Sequence, residues 1–268
     1  MPPMEPTPPP GSGPPVPPPP PIEPPTFLPP EPLRAFTTGE VLSETFSIFF
    51  SSPVPLLVTA MVLVPLGGLS LALEKALEGR PEMAWIVMML RLVDSLFFSP
   101  LATGAVTFAV FQRMRGRNTE VGESLRVGLS NLGSVLLVAV LQGLAVMGGL
   151  LLCVIPGIIF AVMYSLAVPV AIEEKPGASE AMSRSSSLTE GNRREIFFAL
   201  LGLILVEIGL GVVAGVIGFI GTAVAIAMTL AAQVLTSGLF ATAYTVMYYR
   251  LRSVKESLDV DQIASVFD

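Results

Sequence analysis

The sequence predicts an all-α, polytopic membrane protein: six transmembrane helices, short amphipathic helices on the cytoplasmic side, and a disordered, proline-rich N-terminal tail. Three observations lead there. The 268 residues are 52% hydrophobic and 13% charged, with a mean hydropathy of +0.72, whereas a soluble domain is about 25% charged. Six apolar runs reach or approach the roughly 17–25 residues that cross a bilayer. Lysines and arginines gather in alternate connections, as cytoplasmic loops require.

Residues 1–35 are dominated by proline, as in PPVPPPPPIEPP (Pro14–Pro25). Proline lacks an amide donor and fixes φ, so the stretch favours extended polyproline II, reaching on the order of 100 Å at ~3.1 Å per residue. It reads as a cytoplasmic spacer or as a ligand for proline-reading domains. A basic start and an apolar core are missing, so it does not read as a signal peptide.

The membrane domain spans residues 36–252. Its apolar runs are Pro53–Leu73, Met83–Phe111, Val135–Val154, Ile158–Ile172, Ile196–Ile217 and Ala223–Met247. Ile155-Pro156-Gly157 separates the third from the fourth as a tight turn, because proline and glycine break helices. Residues 253–268 form a short cytoplasmic tail.

Orientation follows from the basic residues. Arg113, Arg115, Arg117 and Arg126 lie in one connection, Lys175, Arg184, Arg193 and Arg194 in a second, and Arg250, Arg252 and Lys255 near the C-terminus. The alternate connections hold only Lys75 and Arg80. Both termini are therefore expected in the cytoplasm, with the protein multi-pass in the cell inner membrane.

Amphipathic segments precede three of the spans. In residues 37–52, Thr37 and Glu40 have capping-box spacing, and Leu42, Phe46, Phe49 and Phe50 form an apolar stripe. In residues 118–133 the stripe is Val121, Leu125, Leu129 and Leu132. In GASEAMSRSSSL (Gly177–Leu188), Ala178, Ala181, Met182 and Ser185 share one face, opposite Glu180, Arg184 and Ser187. The chain thus reads as three units, each an amphipathic helix, an outgoing span and a returning span; the alternative is ordinary juxtamembrane helices.

The stretch from Val154 to Phe197 carries a family likeness. Ile155–Gly157, Val168–Pro169, Glu173, Gly177, Glu180–Ala181, Arg184–Ser185, Leu188 and Gly191–Arg193 follow one another at a distinctive spacing. This pattern resembles the signature of the YciC-like membrane proteins and of the membrane domain attached to some bacterial glycerophosphodiester phosphodiesterases. GEVLSETF (Gly39–Phe46) and YYRLRSVKESLD (Tyr248–Asp259) also fit, so the likeness covers about residues 36–259. It implies a polytopic bacterial membrane protein, not a phosphodiesterase, whose catalytic barrel is a separate domain built on histidines and metal-binding carboxylates.

The composition argues against several chemistries. There is no histidine and one cysteine, Cys153, so no zinc ligand set or intramolecular disulfide is expected. Cys153 reads as a small buried hydrophobe. A net charge of −6 disfavours a nucleic-acid partner. Ser185–Ser187 have no histidine base, and adjacent Glu173 and Glu174 would point about 100° apart on a helix. No catalytic residue, cofactor or metal is therefore expected.

Three constellations remain. Arg91, Asp94 and Glu207 fall inside apolar runs, where charges are costly and seek partners. Counted from the outer ends, Asp94 and Glu207 lie roughly 15 Å deep at 1.5 Å per residue, with Arg91 about a turn shallower. An Arg91–Glu207 or three-member network follows, read either as a self-neutralising pair or as a polar pathway. Arg184, Ser185, Arg193 and Arg194 read either as lipid-phosphate contacts or as topology-setting charge and caps. Gly211 and Gly215 form GxxxG, for close packing within the bundle or a homodimer face. The expected role is a non-enzymatic scaffold, envelope-maintenance or partner-tethering one; a transporter or lipid-handling protein using the Arg91/Asp94/Glu207 cluster is the alternative. Membrane lipids are the expected partners, along with another membrane protein or a second copy.

Overall fold

The computed structural model describes residues 36–265, with side chains to Glu256. The expected proline-rich tail lies outside these residues. Every regular element described is helical: α1 (Thr38–Ser51), α2 (Val54–Ala76), α3 (Ala84–Val93), α4 (Ser99–Met114), α5 (Val121–Ser130), α6 (Leu132–Leu152), α7 (Val154–Met163), α8 (Ala167–Glu173), α9 (Ala178–Thr189), α10 (Arg193–Gly218) and α11 (Thr222–Ser265). A five-residue π turn, Asp94–Phe98, joins α3 to α4. Six segments are long and apolar enough to cross a membrane: α2, α3–α4, α6, α7–α8, α10 and α11 to Glu256. The protein is a six-span polytopic membrane protein.

Each pair of spans forms a hairpin preceded by a short amphipathic helix. α1, α5 and α9 all sit at one end of the bundle, termed here the polar end. The main core is there, where Val41, Phe111, Val138, Leu166, Leu188, Ile196, Leu203, Met247 and Leu251 pack together. Toward the far end the spans present apolar side chains outward, Met147, Leu151, Val212 and Val216 among them. In lipid such surfaces carry no hydrophobic penalty, so association depends on close fit.

The amphipathic helices bury faces set by fit as well as by apolarity. In α1 the buried line is Val41, Thr45 and Phe49, one position off the expected stripe. Leu42 and Phe46 are half-buried, and Phe50 is exposed. The reason is Gly238 of α11: a Cβ there would stand 2.6 Å from the Phe49 ring, so that ring occupies the glycine's space. In α5 the buried residues are Ser124 and Gly128, and Leu129 is exposed. Gly128 lets the helix lie directly on Ala105, where a Cβ would come within 2.9 Å of Ala105 Cβ. The expected face of α9 is observed: Ala178, Ala181, Ser185 and Leu188 are buried, with Met182 packed at the margin.

Two turns differ from expectation. The break between α6 and α7 is Cys153, in extended backbone, and Ile155-Pro156-Gly157 forms the first turn of α7. Proline is accommodated there because first-turn amides need no helical acceptor. Cys153 is consequently exposed at the hairpin tip, not buried. The fourth span is interrupted: α7 ends at Met163 and α8 begins at Ala167. At the C-terminus, the sixth helix continues through residues 253–265.

Candidate functional site

The interruption at Tyr164–Leu166 organises the polar end. Breaking a helix orphans backbone groups, which are expensive to bury unpaired. Ser185, fully buried on α9, supplies the partners: its Oγ accepts from Leu166 N–H at 3.1 Å and donates to the Met163 carbonyl at 2.9 Å. Thr189 Oγ1, one turn on, donates to the same carbonyl at 3.4 Å. Ser165 Oγ donates back to Val162 O at 2.8 Å. α9 is a splint across a broken span, and the hydroxyls of Ser185 and Thr189 are the means. Ser185 therefore has no surface to offer a lipid phosphate.

Around the splint the charged residues pair with one another. Glu173, at the end of α8, accepts from Arg115 after α4 and lies 4.0 Å from Arg252 of α11. Its neighbour Glu174 accepts from Arg184 Nε at 3.3 Å and from the Tyr248 hydroxyl at 2.8 Å. Arg252 donates to that same hydroxyl at 3.0 Å and to Glu256 at 2.7 Å. Arg184 reaches Glu256 at 3.5 Å, and Lys255 Nζ donates to the Ser187 carbonyl. The two glutamates diverge, as their adjacency predicts: Glu173 draws in the end of α4 and Glu174 draws in α9, while both reach α11. A cavity of about 320 Å³ opens beside Glu173, lined by Phe111, Arg115, Glu173, Tyr248, Arg252 and Glu256 among others.

α1 is held by charge as well. Arg250 donates to Glu40 at 2.9 Å and to Glu44. The capping box is half formed: Thr37 Oγ1 accepts from Glu40 N–H at 3.4 Å, while the Glu40 carboxylate is drawn to Arg250. At the other face of α1, Thr38 Oγ1 donates to the Glu195 carboxylate at 2.7 Å, tying α1 to the start of α10.

The remaining residues singled out from sequence are dispersed. Arg91 pairs with Glu74 across the α2–α3 hairpin at 2.5 Å, not with Glu207. Among the described residues no hydrogen bond or ion pair joins Arg91, Asp94 and Glu207. The continuous α3–α4 segment runs from Ala84 to Met114, so Arg91 sits roughly 35 Å from its polar-end terminus at 1.5 Å per residue, near the edge of the hydrocarbon rather than within it. Asp94 opens the π turn, and its Oδ1 is buried without a hydrogen-bond partner. Glu207 is exposed, although it falls in line with buried Leu200, Leu203 and Ala214 on α10. Arg193 and Arg194 are exposed at the α10 start, with the Arg194 guanidinium 5.9 Å from the Phe198 ring. Arg184 is committed to two glutamates. Gly211 and Gly215 face open space; the close approaches inside this chain belong to Gly128, Gly149, Gly157 and Gly238.

Tyr248, Arg115 and Arg252 were not apparent as site residues from sequence. A weak signal was available: paired glutamates at a span end whose neighbouring connections are rich in arginine.

The fold and the site together define an all-helical, multi-pass membrane protein whose polar groups concentrate at one end. Comparison with known proteins agrees at that level. The chain is similar to a UPF0259 membrane protein of Sodalis glossinidius (strain morsitans), 40% identical over 83 residues, 30% of this chain. The match spans 33% of that relative's length. No family model matches the chain, and no solved structure does.

Proposed function

We propose that this protein is a non-enzymatic scaffold or tether of the cell inner membrane, related to the YciC-like membrane proteins, with both termini in the cytoplasm. One observation carries the reading: the charged side chains gathered at the α8 terminus are spent on each other. Arg115, Glu173, Glu174, Arg184, Tyr248, Arg252 and Glu256 join the ends of four helices into one cross-braced platform. A rigid platform beside a membrane, with a long proline-rich segment attached in sequence, suits holding a partner in place. The dispersal of Arg91, Asp94 and Glu207 supports this reading over a transporter that uses the three as one cluster.

The test is crosslinked recovery from native membranes, comparing the full chain with a version lacking residues 1–35 and with Glu173→Arg. Under this reading both changes alter the recovered partners or the size of the complex. If neither does, the tether reading fails. Orientation has its own probe in Cys153, exposed at a hairpin tip away from the polar end. An impermeant maleimide should label it in cells with an intact inner membrane; labelling only after lysis would reverse the topology.

A further inference from the structure

At the far end of the first hairpin, α2 and α3 diverge around a cavity of about 610 Å³. Its volume is in the range of small-ligand sites. Leu77, Val87 and Met88 supply apolar wall, and Glu74, Arg80 and Arg91 supply charge of both signs. Glu74 and Arg91 hold each other at 2.5 Å with side chains about half exposed. Arg80, on the connecting turn, is exposed, and its guanidinium has no hydrogen bond or ion pair among the described residues; its backbone N–H donates to the Leu77 carbonyl at 2.9 Å. Lys75 and Glu78 pair with each other at 3.7 Å and do not line the cavity.

Two observations set the depth of this cavity. Glu74 lies roughly 30 Å along α2 from Val54, which is one hydrocarbon thickness. Trp85, the single tryptophan, is exposed one residue beyond the lining residue Ala84. Tryptophan collects at the headgroup level of membranes. The cavity therefore opens where lipid headgroups lie, with its apolar wall continuous with the acyl region.

The geometry points to a binding site for a zwitterionic aminophosphate, the headgroup of a phosphatidylethanolamine-type lipid. The phosphate meets Arg80 and the unused N–H groups of Arg91; a guanidinium has five donors, and Glu74 takes one. The primary ammonium donates to the Glu74 carboxylate. The first methylenes of the acyl chain run along Leu77, Val87 and Met88. A choline headgroup has no N–H to give Glu74, and a glycerol headgroup brings no positive charge to it. The site thus selects by hydrogen bonding and by sign together. This inference is independent of the tether reading and survives its failure.

The test is native mass spectrometry of the full chain in mild detergent. Phosphatidylethanolamine, phosphatidylcholine and phosphatidylglycerol are added separately, and soluble phosphoethanolamine forms a fourth arm. Phosphatidylethanolamine adducts should exceed the other two by about fivefold, and Arg80→Ala should lower them about tenfold, the scale of one charge-assisted hydrogen bond. The Arg80 guanidinium has no partner among the described residues, and alanine keeps the backbone bonds of the turn, so this substitution leaves the fold intact. Glu74→Gln should erase the preference over phosphatidylglycerol. Met88→Trp, which fills the apolar wall and keeps all three charges, should lower lipid adducts and spare phosphoethanolamine. Phosphoethanolamine binding as tightly as the lipid would uphold the site and make its occupant a free aminophosphate. Equal adducts for all three lipids without phosphoethanolamine binding, or unchanged binding in both Arg80→Ala and Met88→Trp, overturns the proposal.

Discussion

Replacing Ser185 with alanine removes one oxygen and tests the splint directly. That oxygen accepts from Leu166 N–H and donates to Met163 O, at 3.1 and 2.9 Å. Ser185 and Leu166 are both fully buried, so the Leu166 amide loses its partner where solvent does not replace it. The Met163 carbonyl fares better, because the Thr189 hydroxyl still reaches it at 3.4 Å. One orphaned buried donor costs about 1–3 kcal/mol, and the weakened carbonyl adds a fraction of that. The total is about 1–4 kcal/mol, which at this chain length lowers the melting temperature by about 2–16 °C. The assay is thermal unfolding of the purified protein in detergent, with deuterium uptake followed over residues 160–170. Ser187→Ala is the control, since Ser187 Oγ bonds only to Arg184 O of its own helix. Uptake should rise in the interrupted segment, and the melting temperature should fall for Ser185→Ala and hold for Ser187→Ala. If the two variants melt alike, or residues 160–170 stay as protected as in the parent, the splint argument is wrong.

Other outcomes follow from the same contacts. Thr189→Ala combined with Ser185→Ala should cost more than the sum of the two alone, because both hydroxyls serve the Met163 carbonyl; strict additivity in a thermal double-mutant cycle would contradict shared service. Glu74→Gln and Arg91→Gln should couple by a few tenths to about 1 kcal/mol, whereas Arg91→Gln and Glu207→Gln should be additive, read by the same cycle. Gly128→Val should destabilise by about 1–3 kcal/mol because its side chain meets Ala105, while Gly211→Ala should be neutral or slightly stabilising by helix propensity; thermal unfolding in detergent separates them. Exchanging the charges of Arg115 and Glu173 together should restore much of the stability lost when either is changed alone, and no recovery would remove that brace from the platform.

What the sequence makes legible here is whatever lipid dictates residue by residue. Apolar runs mark the spans because a charged or polar residue in hydrocarbon is costly at any position, so composition alone locates α2, α6, α10 and α11. The buried face of α9 is legible for a similar reason: its alanines recur at helical spacing opposite Glu180 and Ser187. Pairings between elements are not legible. Arg91 reads equally well beside Glu207 or Glu74, and the choice falls to the hairpin because Glu74 is the carboxylate that the turn returns to it. GxxxG describes what a helix permits; whether a neighbour uses it depends on how that helix is rotated, and here Gly128 and Gly238 are taken up while Gly211 and Gly215 are not. Ser185 was visible as a hydroxyl on an apolar face. That it answers a break in another helix needs the break to be known, and nothing in SLAVP (Ser165–Pro169) marks Leu166 as the residue left wanting an acceptor.

The interrupted fourth span has a consequence for synthesis. The hydroxyls that complete it follow within 26 residues of the carbonyl they serve. A chain emerging N-terminus first thus presents the gap and its remedy almost together, before the last two membrane crossings exist. Arg252, Lys255 and Glu256 arrive afterwards and fasten a joint that has already closed. Nascent chains halted just past Thr189 should then protect residues 160–170 nearly as well as the finished protein does, and those halted before Ser185 should leave them open.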